Sequence, residues 1–349
     1  MKIGFNLLLF LAITMDNDSS AQKLSLESWM NDLPSELKDV PLIYLAIPGS
    51  HDSMTYGINE TSKVAPDAET IVKHLYPIFR GTLLRWTKTQ AVDTWHQLLI
   101  GIRYLDLRLA TMVNDTNYYF THGLYGEEIS KALTQVKMFV DMHPGEVVIL
   151  DCQHFYGFTP DDHKKLMRYL LNLYGSKLAP RQLDLRGITL NSLNRLKTQI
   201  IVVYRNSSVY VTSEFWQSPM LPSPWPQQHT IPGLMNFLNN VTRNPSTGFV
   251  HQAVLTPTAT FIVLRWISSL REKCAIPVIN EVLPELAGFS PGPPVPGRSL
   301  AGVRAPVNVV IADFVDMDDA IFSKTIIGLN IKLLKNVTPS HDVGEKRLL

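Results

Sequence analysis

Cysteine is nearly missing from this chain of 349 residues, which has only Cys152 and Cys274. Two thiols can close at most one bridge, which excludes a disulfide framework and a cysteine-rich zinc module. Their spacing leaves open whether they pair. An excess of charge is missing too: 32 Lys and Arg stand against 31 Asp and Glu, a formal net charge of +1. A dedicated nucleic-acid binder needs clustered cations to neutralise phosphates, so no nucleic-acid partner is expected. Nor does any apolar run reach the roughly 18 residues of a membrane-spanning helix. What is present is core material. Hydrophobic residues make up 45% and charged residues 18%, which excludes a disordered chain and suits one large domain or two ordinary ones.

The first residues bear on location. Lys2 precedes a short apolar run from Ile3 to Ile13, the shape of a secretory leader, so residues 1–21 read as a signal peptide with cleavage near Ala21. An N-terminal helix packed on the domain is the alternative. Sequons stand at Asn17, Asn59, Asn114, Asn206, Asn240 and Asn336, as a secreted glycoprotein tolerates. The expectation is a secreted or lumenal protein, with a cytoplasmic protein peripheral to membranes as the alternative. Residues 336–349 read as a polar tail.

Between residues 28 and 335 short apolar runs alternate with amphipathic stretches. Strands are predicted at residues 43–47, 102–109, 118–121, 147–152, 200–204, 250–255 and 307–313. Helices are predicted at 93–99, 129–141, 160–174, 260–271, 276–286 and 317–334. Near-continuous apolar strands between helices imply a mainly parallel sheet. Closed, it is a (β/α) barrel in a single domain; an open doubly wound sheet is the alternative. Residues 219–232, rich in Pro and Trp, and 288–298, rich in Pro and Gly, read as long surface loops.

Four clusters put polar side chains at the ends of predicted strands, where barrel active sites collect. Ile47-Pro48-Gly49-Ser50-His51-Asp52-Ser53 turns the chain straight into a His and an Asp. In Gly101-Ile102-Arg103-Tyr104-Leu105-Asp106-Leu107-Arg108, strand alternation puts Tyr104, Asp106 and Arg108 on one face. An Asp and an Arg so placed form either a buried pair or a phosphate clamp. Phe120-Thr121-His122-Gly123 ends another strand, and Asp313 ends a late one, either as a helix N-cap or with a role in the site. Two histidines, an Arg and an orienting Asp make a general acid–base set for cleaving a phosphodiester, since imidazole titrates near neutrality.

As a set, these stretches, with Val147-Val148-Ile149-Leu150-Asp151, Gln252-Ala253-Val254-Leu255-Thr256-Pro257 and Asp313-Phe314-Val315-Asp316, resemble the phosphatidylinositol-specific phospholipase C X-domain family. The likeness runs over about residues 28–335 and is closest to the animal proteins that carry the X-domain alone. The resemblance implies a distorted or incomplete TIM barrel and a phosphoric diester hydrolase. It also implies a phospholipid substrate met transiently at a membrane surface. By the same resemblance His51 is the base that deprotonates the inositol 2-hydroxyl, and His122 the acid that protonates the diacylglycerol oxygen. Asp313 orients His51, Asp52 braces the Arg and phosphate side, and Arg205 binds inositol.

The calcium-dependent members hold their ion at four positions, which here read Asp52, Asp106, Arg108 and Gln153. A guanidinium at the third repels calcium, so the chain resembles the metal-independent branch, with no metal and no cofactor. Asp106 and Gln153 are then left to the substrate. Arg108 is expected to be held by Asp106 in a bidentate pair. No equivalent is found for the Asp and Tyr that grip the inositol ring in the bacterial enzymes, which leaves the headgroup open. Trp216 and Trp225 either dip into a membrane interface or cap the barrel. Two other readings stand beside the lipase: a catalytically silent X-domain that binds phosphoinositide membranes, and an enzyme for another phosphodiester lipid.

Overall fold

The computed structural model describes residues 25–68, 70–294 and 304–334. The expected leader, the polar tail and the sequons at Asn17 and Asn336 lie outside the described residues. Six parallel strands make the frame: β1 (Ile47–Ser50), β2 (Tyr104–Thr111), β5 (Val148–Tyr156), β6 (Ile200–Tyr204), β7 (Val250–Gln252) and β8 (Val309–Ala312). Their order is β6-β5-β2-β1-β8-β7. β3 (Tyr118–His122) and β4 (Leu124–Glu128) form an antiparallel hairpin that pairs with the far end of β2.

Alternation along these strands builds two buried layers. Ile47, Tyr104, Ile149, Ile201, Val309 and Ile311 point into the barrel. Leu105, Leu107, Leu150, Val202 and Val310 point outward, where they meet the helices Ile129–Met142 and Pro160–Tyr174. Both faces are covered, which is why these strands read as continuous apolar runs. Gly49 lets β1 and β2 approach closely: a Cβ there would lie 2.8 Å from Tyr104 Cβ.

The barrel is incomplete, and what spans its gap is the Pro-rich segment. β6 and β7 do not pair with each other. Instead Trp216 N–H donates to Val202 O at 2.7 Å, Tyr204 N–H donates to Trp216 O at 3.0 Å, and Val250 N–H donates to Pro222 O at 2.9 Å. Pro222, Pro224 and Pro226 lack the N–H a regular ladder needs, so the closure stays piecemeal. Trp216 is buried, with its indole N–H on Ala179 O, and packs inside the barrel among the inward-facing Ile47, Ile149 and Ile201.

Several predicted elements differ. Residues 42–44 are a tight helical turn, set after Pro41, and β1 begins only at Ile47; every residue is buried either way, so an apolar run could not tell them apart. β4 was not foreseen, nor were the helices Thr70–Thr87, Leu190–Leu196 and Ile231–Asn240. The predicted helix at 260–271 shrinks to Ala259–Val263. The one at 276–286 is wide turns around Pro277 followed by Leu283–Leu286. The last splits into Met317–Gly328 and Ile331–Leu334. Cys152 and Cys274 are both buried and free.

Candidate active site

β1 and β8 lie side by side in register, with Ser50 opposite Ala312. Their next residues, His51 and Asp313, therefore leave the sheet together, and His51 Nδ1 sits 2.7 Å from Asp313 Oδ1. Asp313 thus faces the imidazole; the N-cap of the following helix is Asp316. The opposite ring nitrogen, His51 Nε2, lies 3.4 Å from Asp52 Oδ2 and 3.3 Å from Arg108 Nη2.

Asp52 is the hub. Its φ of +40° is left-handed, an uncommon state for a non-glycine residue that recurs at functional sites. Its N–H donates to Asp106 Oδ2 at 3.2 Å, and its carboxylate is ion-paired with Arg108 Nε. The same carboxylate reaches His122 Nε2 at 3.3 Å. Asp52 therefore touches both histidines and the guanidinium. The expected partner of Arg108, Asp106, is displaced from that role. Asp52, left-handed just past the end of β1, reaches the guanidinium instead, while the irregularity in the β2–β5 pair lies on β5, where Gln153 is the extra residue. Asp106 faces the barrel interior below, its backbone N–H held by Ser53 Oγ at 2.8 Å.

His122 ends β3, and its Nδ1 donates to Thr87 O at 2.7 Å, which leaves Nε2 towards Asp52 and the opening. Its side chain is 25% exposed and that of Arg108 17%, whereas His51 is 4% exposed as a residue. Beside His51 lies Trp225, whose ring centre is 5.2 Å from the imidazole and 5.9 Å from the Arg108 guanidinium carbon. Of the two tryptophans, Trp225 lies over the site.

Arg205 and Gln153 stand one strand further round. Arg205 makes a bidentate pair with Asp151, both contacts at 2.7 Å, and also donates to Leu221 O. Tyr104 donates to the same carboxylate at 2.8 Å, and Gln153 Nε2 reaches Tyr104 Oη at 3.1 Å. These groups line the inner face beside the histidines but are tied to one another. The structure thus gathers His51, Asp52, Arg108, His122 and Asp313 in one cluster, with Asp106 beneath it and Arg205 and Gln153 alongside. Sequence reasoning missed Trp225 as a neighbour of His51, and Thr89 and Gln90, which donate to His51 O at 3.1 and 2.9 Å. Chain distance hides such contacts.

The electrostatics follow from burial and proximity. Burial works against a charge on His51, but the carboxylates of Asp52 and Asp313 overcome it and push its pKa up to about 9. Asp52 is held below the usual carboxylate range: burial opposes this, and Arg108 and the histidines outweigh it. Burial, then the charge of Asp52, push Asp106 up to about 6. His51, Asp52 and Asp106 bring one donor atom each within 4.8 Å of one another. Calcium requires six to eight oxygens. Here one donor is nitrogen and one carboxylate already carries a guanidinium, so the set does not fit that ion.

No family model matches the chain. Curated relatives do. The chain is 32% identical over 325 residues to PI-PLC X domain-containing protein 3 of Mus musculus, covering 90% of this chain and 97% of that one. It is 34% identical over 318 residues to PI-PLC X domain-containing protein 1 of Homo sapiens, covering 88% and 93%. Among solved structures, a phosphatidylinositol-specific phospholipase C of S. aureus superposes with a TM-score of 0.58 at 16% identity, covering 87% of this chain and 97% of that one. That of Listeria monocytogenes gives 0.50 at 16%, covering 88% and 98%. These share the fold, a distorted TIM barrel. Extended likeness to the animal proteins, over nearly their whole length, carries the assignment: the chain belongs to the PI-PLC X domain-containing protein family.

Proposed function

We propose that the chain is a phospholipase C-type phosphodiesterase that cleaves phosphatidylinositol-like lipids without a metal. The observation that carries this is the contact of one carboxylate, Asp52, with two histidines and an arginine at the barrel mouth. His51, proton on Nδ1 against Asp313, takes the proton of the inositol 2-hydroxyl at Nε2. The oxygen attacks phosphorus, the bond to the diacylglycerol oxygen breaks, and His122 Nε2 gives that oxygen its proton. The products are diacylglycerol and a 1,2-cyclic inositol phosphate, which the pair hydrolyses with roles exchanged. Arg108 meets the charge that builds on the non-bridging oxygens.

Location of the exposed apolar side chains supports a substrate met at a membrane. Val113 follows β2, Tyr210 and Val211 follow β6, and Val263, Leu264, Trp266 and Ile267 follow β7, all exposed. Parallel strands end on one side, so the segments that carry these residues leave the sheet on the side that holds the histidines. Among the described residues no helix is long and apolar enough to cross a membrane. The test is incubation of the purified protein with labelled phosphatidylinositol in excess EDTA, resolving cyclic from acyclic inositol phosphate. Cyclic product at an undiminished rate is expected. Vesicle association without product makes the chain a binding module, and activity restored only by calcium overturns the role given to Arg108.

A further inference from the structure

One excursion of the chain, between β1 and β2, holds both histidines. Residues 63–67 lie along the β3–β4 hairpin: Tyr125 N–H donates to Lys63 O at 2.9 Å and Ala65 N–H donates to Gly123 O at 3.0 Å. The excursion then runs through the helix Thr70–Thr87. Thr87 O takes the Nδ1 proton of His122, and Thr89 and Gln90 close on the carbonyl of His51. The hairpin is unusually tight. His122 pairs with Leu124, so Gly123 alone makes the turn, at a left-handed φ of +69°. A single-residue turn has little of its own to fix the side chain beside it.

What fixes it is a carboxylate from outside the hairpin. Asp67 Oδ1 accepts from Thr121 Oγ1 at 2.6 Å, and Asp67 Oδ2 accepts from Gly123 N–H at 2.7 Å. These are the two chain neighbours of His122, one on each side. We propose that Asp67 is a positioning residue for His122: its carboxylate clamps Thr121 and Gly123 so that the imidazole is presented with Nδ1 on Thr87 O and Nε2 towards the reacting centre. Asp67 does not touch the reacting atoms. It acts through the backbone of the turn, where a misplacement of about 1 Å costs on the order of a hundredfold in rate.

The proposal rests on the reading of His122 as the general acid, and its test separates the two. Asp67→Ala removes both hydrogen bonds. Asp67→Asn keeps the clamp without the charge: its amide oxygen accepts from Gly123 N–H and its Nδ2 donates to Thr121 Oγ1, whose own proton turns to Leu124 O, 3.4 Å away. Expected for Asp67→Ala is a fall in kcat of about tenfold to a hundredfold with KM within twofold. Asp67→Asn is expected within about threefold of the native enzyme. A loss of thermal stability with native kcat in Asp67→Ala overturns the proposal. So does an equal fall in both variants, which would make the charge, near Arg108, the active part. A second readout is independent of turnover: nitrogen NMR of the imidazoles, taken where the His122 ring is neutral, is expected to show its one proton fixed on Nδ1 against Thr87 O in the native protein and averaged between tautomers in Asp67→Ala. If the native protein makes no inositol phosphate, the functional reading fails and the NMR comparison alone decides Asp67, an unchanged spectrum refuting it.

Discussion

His51 carries two demands that pull against each other. Held at a pKa of about 9 by Asp52 and Asp313, it is mostly imidazolium at neutral pH, yet a base must accept a proton. The contact with Arg108 Nη2 is a hydrogen bond only when Nε2 is bare, so that geometry belongs to the minority, reactive form. As base, His51 is expected to give kcat/KM a low-pH limb that climbs with pH towards a midpoint near 9, above the ordinary histidine value of about 6.5. A limb near 6.5, or a rate falling through pH 9 with no rise before it, would remove His51 from that role. The same shift acts on stability. The folded state holds this proton more tightly than the unfolded chain, so the contribution is whole below about pH 6.5 and is lost as pH rises through 9. Arg108 divides its guanidinium between Asp52 and His51, which one ammonium cannot copy. Arg108→Lys is expected to cut turnover at least about tenfold while the thermal midpoint moves little; a stability loss with native turnover would reduce Arg108 to a buried pair.

At the scale of elements, legibility followed how local the cause was. The helix Pro160–Tyr174 was read with its bounds because its signals are adjacent: Thr159 and Asp162 form a capping box and Pro160 opens the first turn. The strands carrying Asp106, His122 and Asp313 were legible as apolar runs ending in polar groups. β4 was not, since Gly126, Glu127 and Glu128 give it no apolar face. The Arg108 partner differs from the expected one because alternation along β2 says nothing of Asp52, which the left-handed turn just past β1 brings to the guanidinium. Asp67 reaches Thr121 and Gly123 across 54 and 56 residues, Gln90 and Trp225 reach His51 across 39 and 174, and no spacing rule reports such contacts. The segment after β7 offers a test of its own. Trp266 and Ile267 are 55% and 75% exposed while Arg85 holds the Trp266 carbonyl, so their side chains are presented outward on a fixed backbone. Replacing both with Ser is expected to weaken binding to phosphatidylinositol vesicles at least about tenfold and to spare hydrolysis of a short-chain lipid below its micelle concentration. Unchanged vesicle binding would take this segment out of the membrane contact.

At the scale of the whole molecule, the first of the described strands waits for the last of them. β1 lies between β2 and β8, and the residues that leave the sheet beyond them, His51 and Asp313, are 262 positions apart. On the ribosome β1 emerges early, pairs with β2 when that follows, and then keeps one hydrogen-bonding edge open while β5, β6 and β7 are made. An open apolar edge is a template for wrong pairing until the proper strand arrives. The nascent chain is therefore exposed to mispairing while these strands are made, and His51 meets Asp313 only after β8 is in place. On the function proposed above, cleavage of a lipid would have to wait until this late strand is in place.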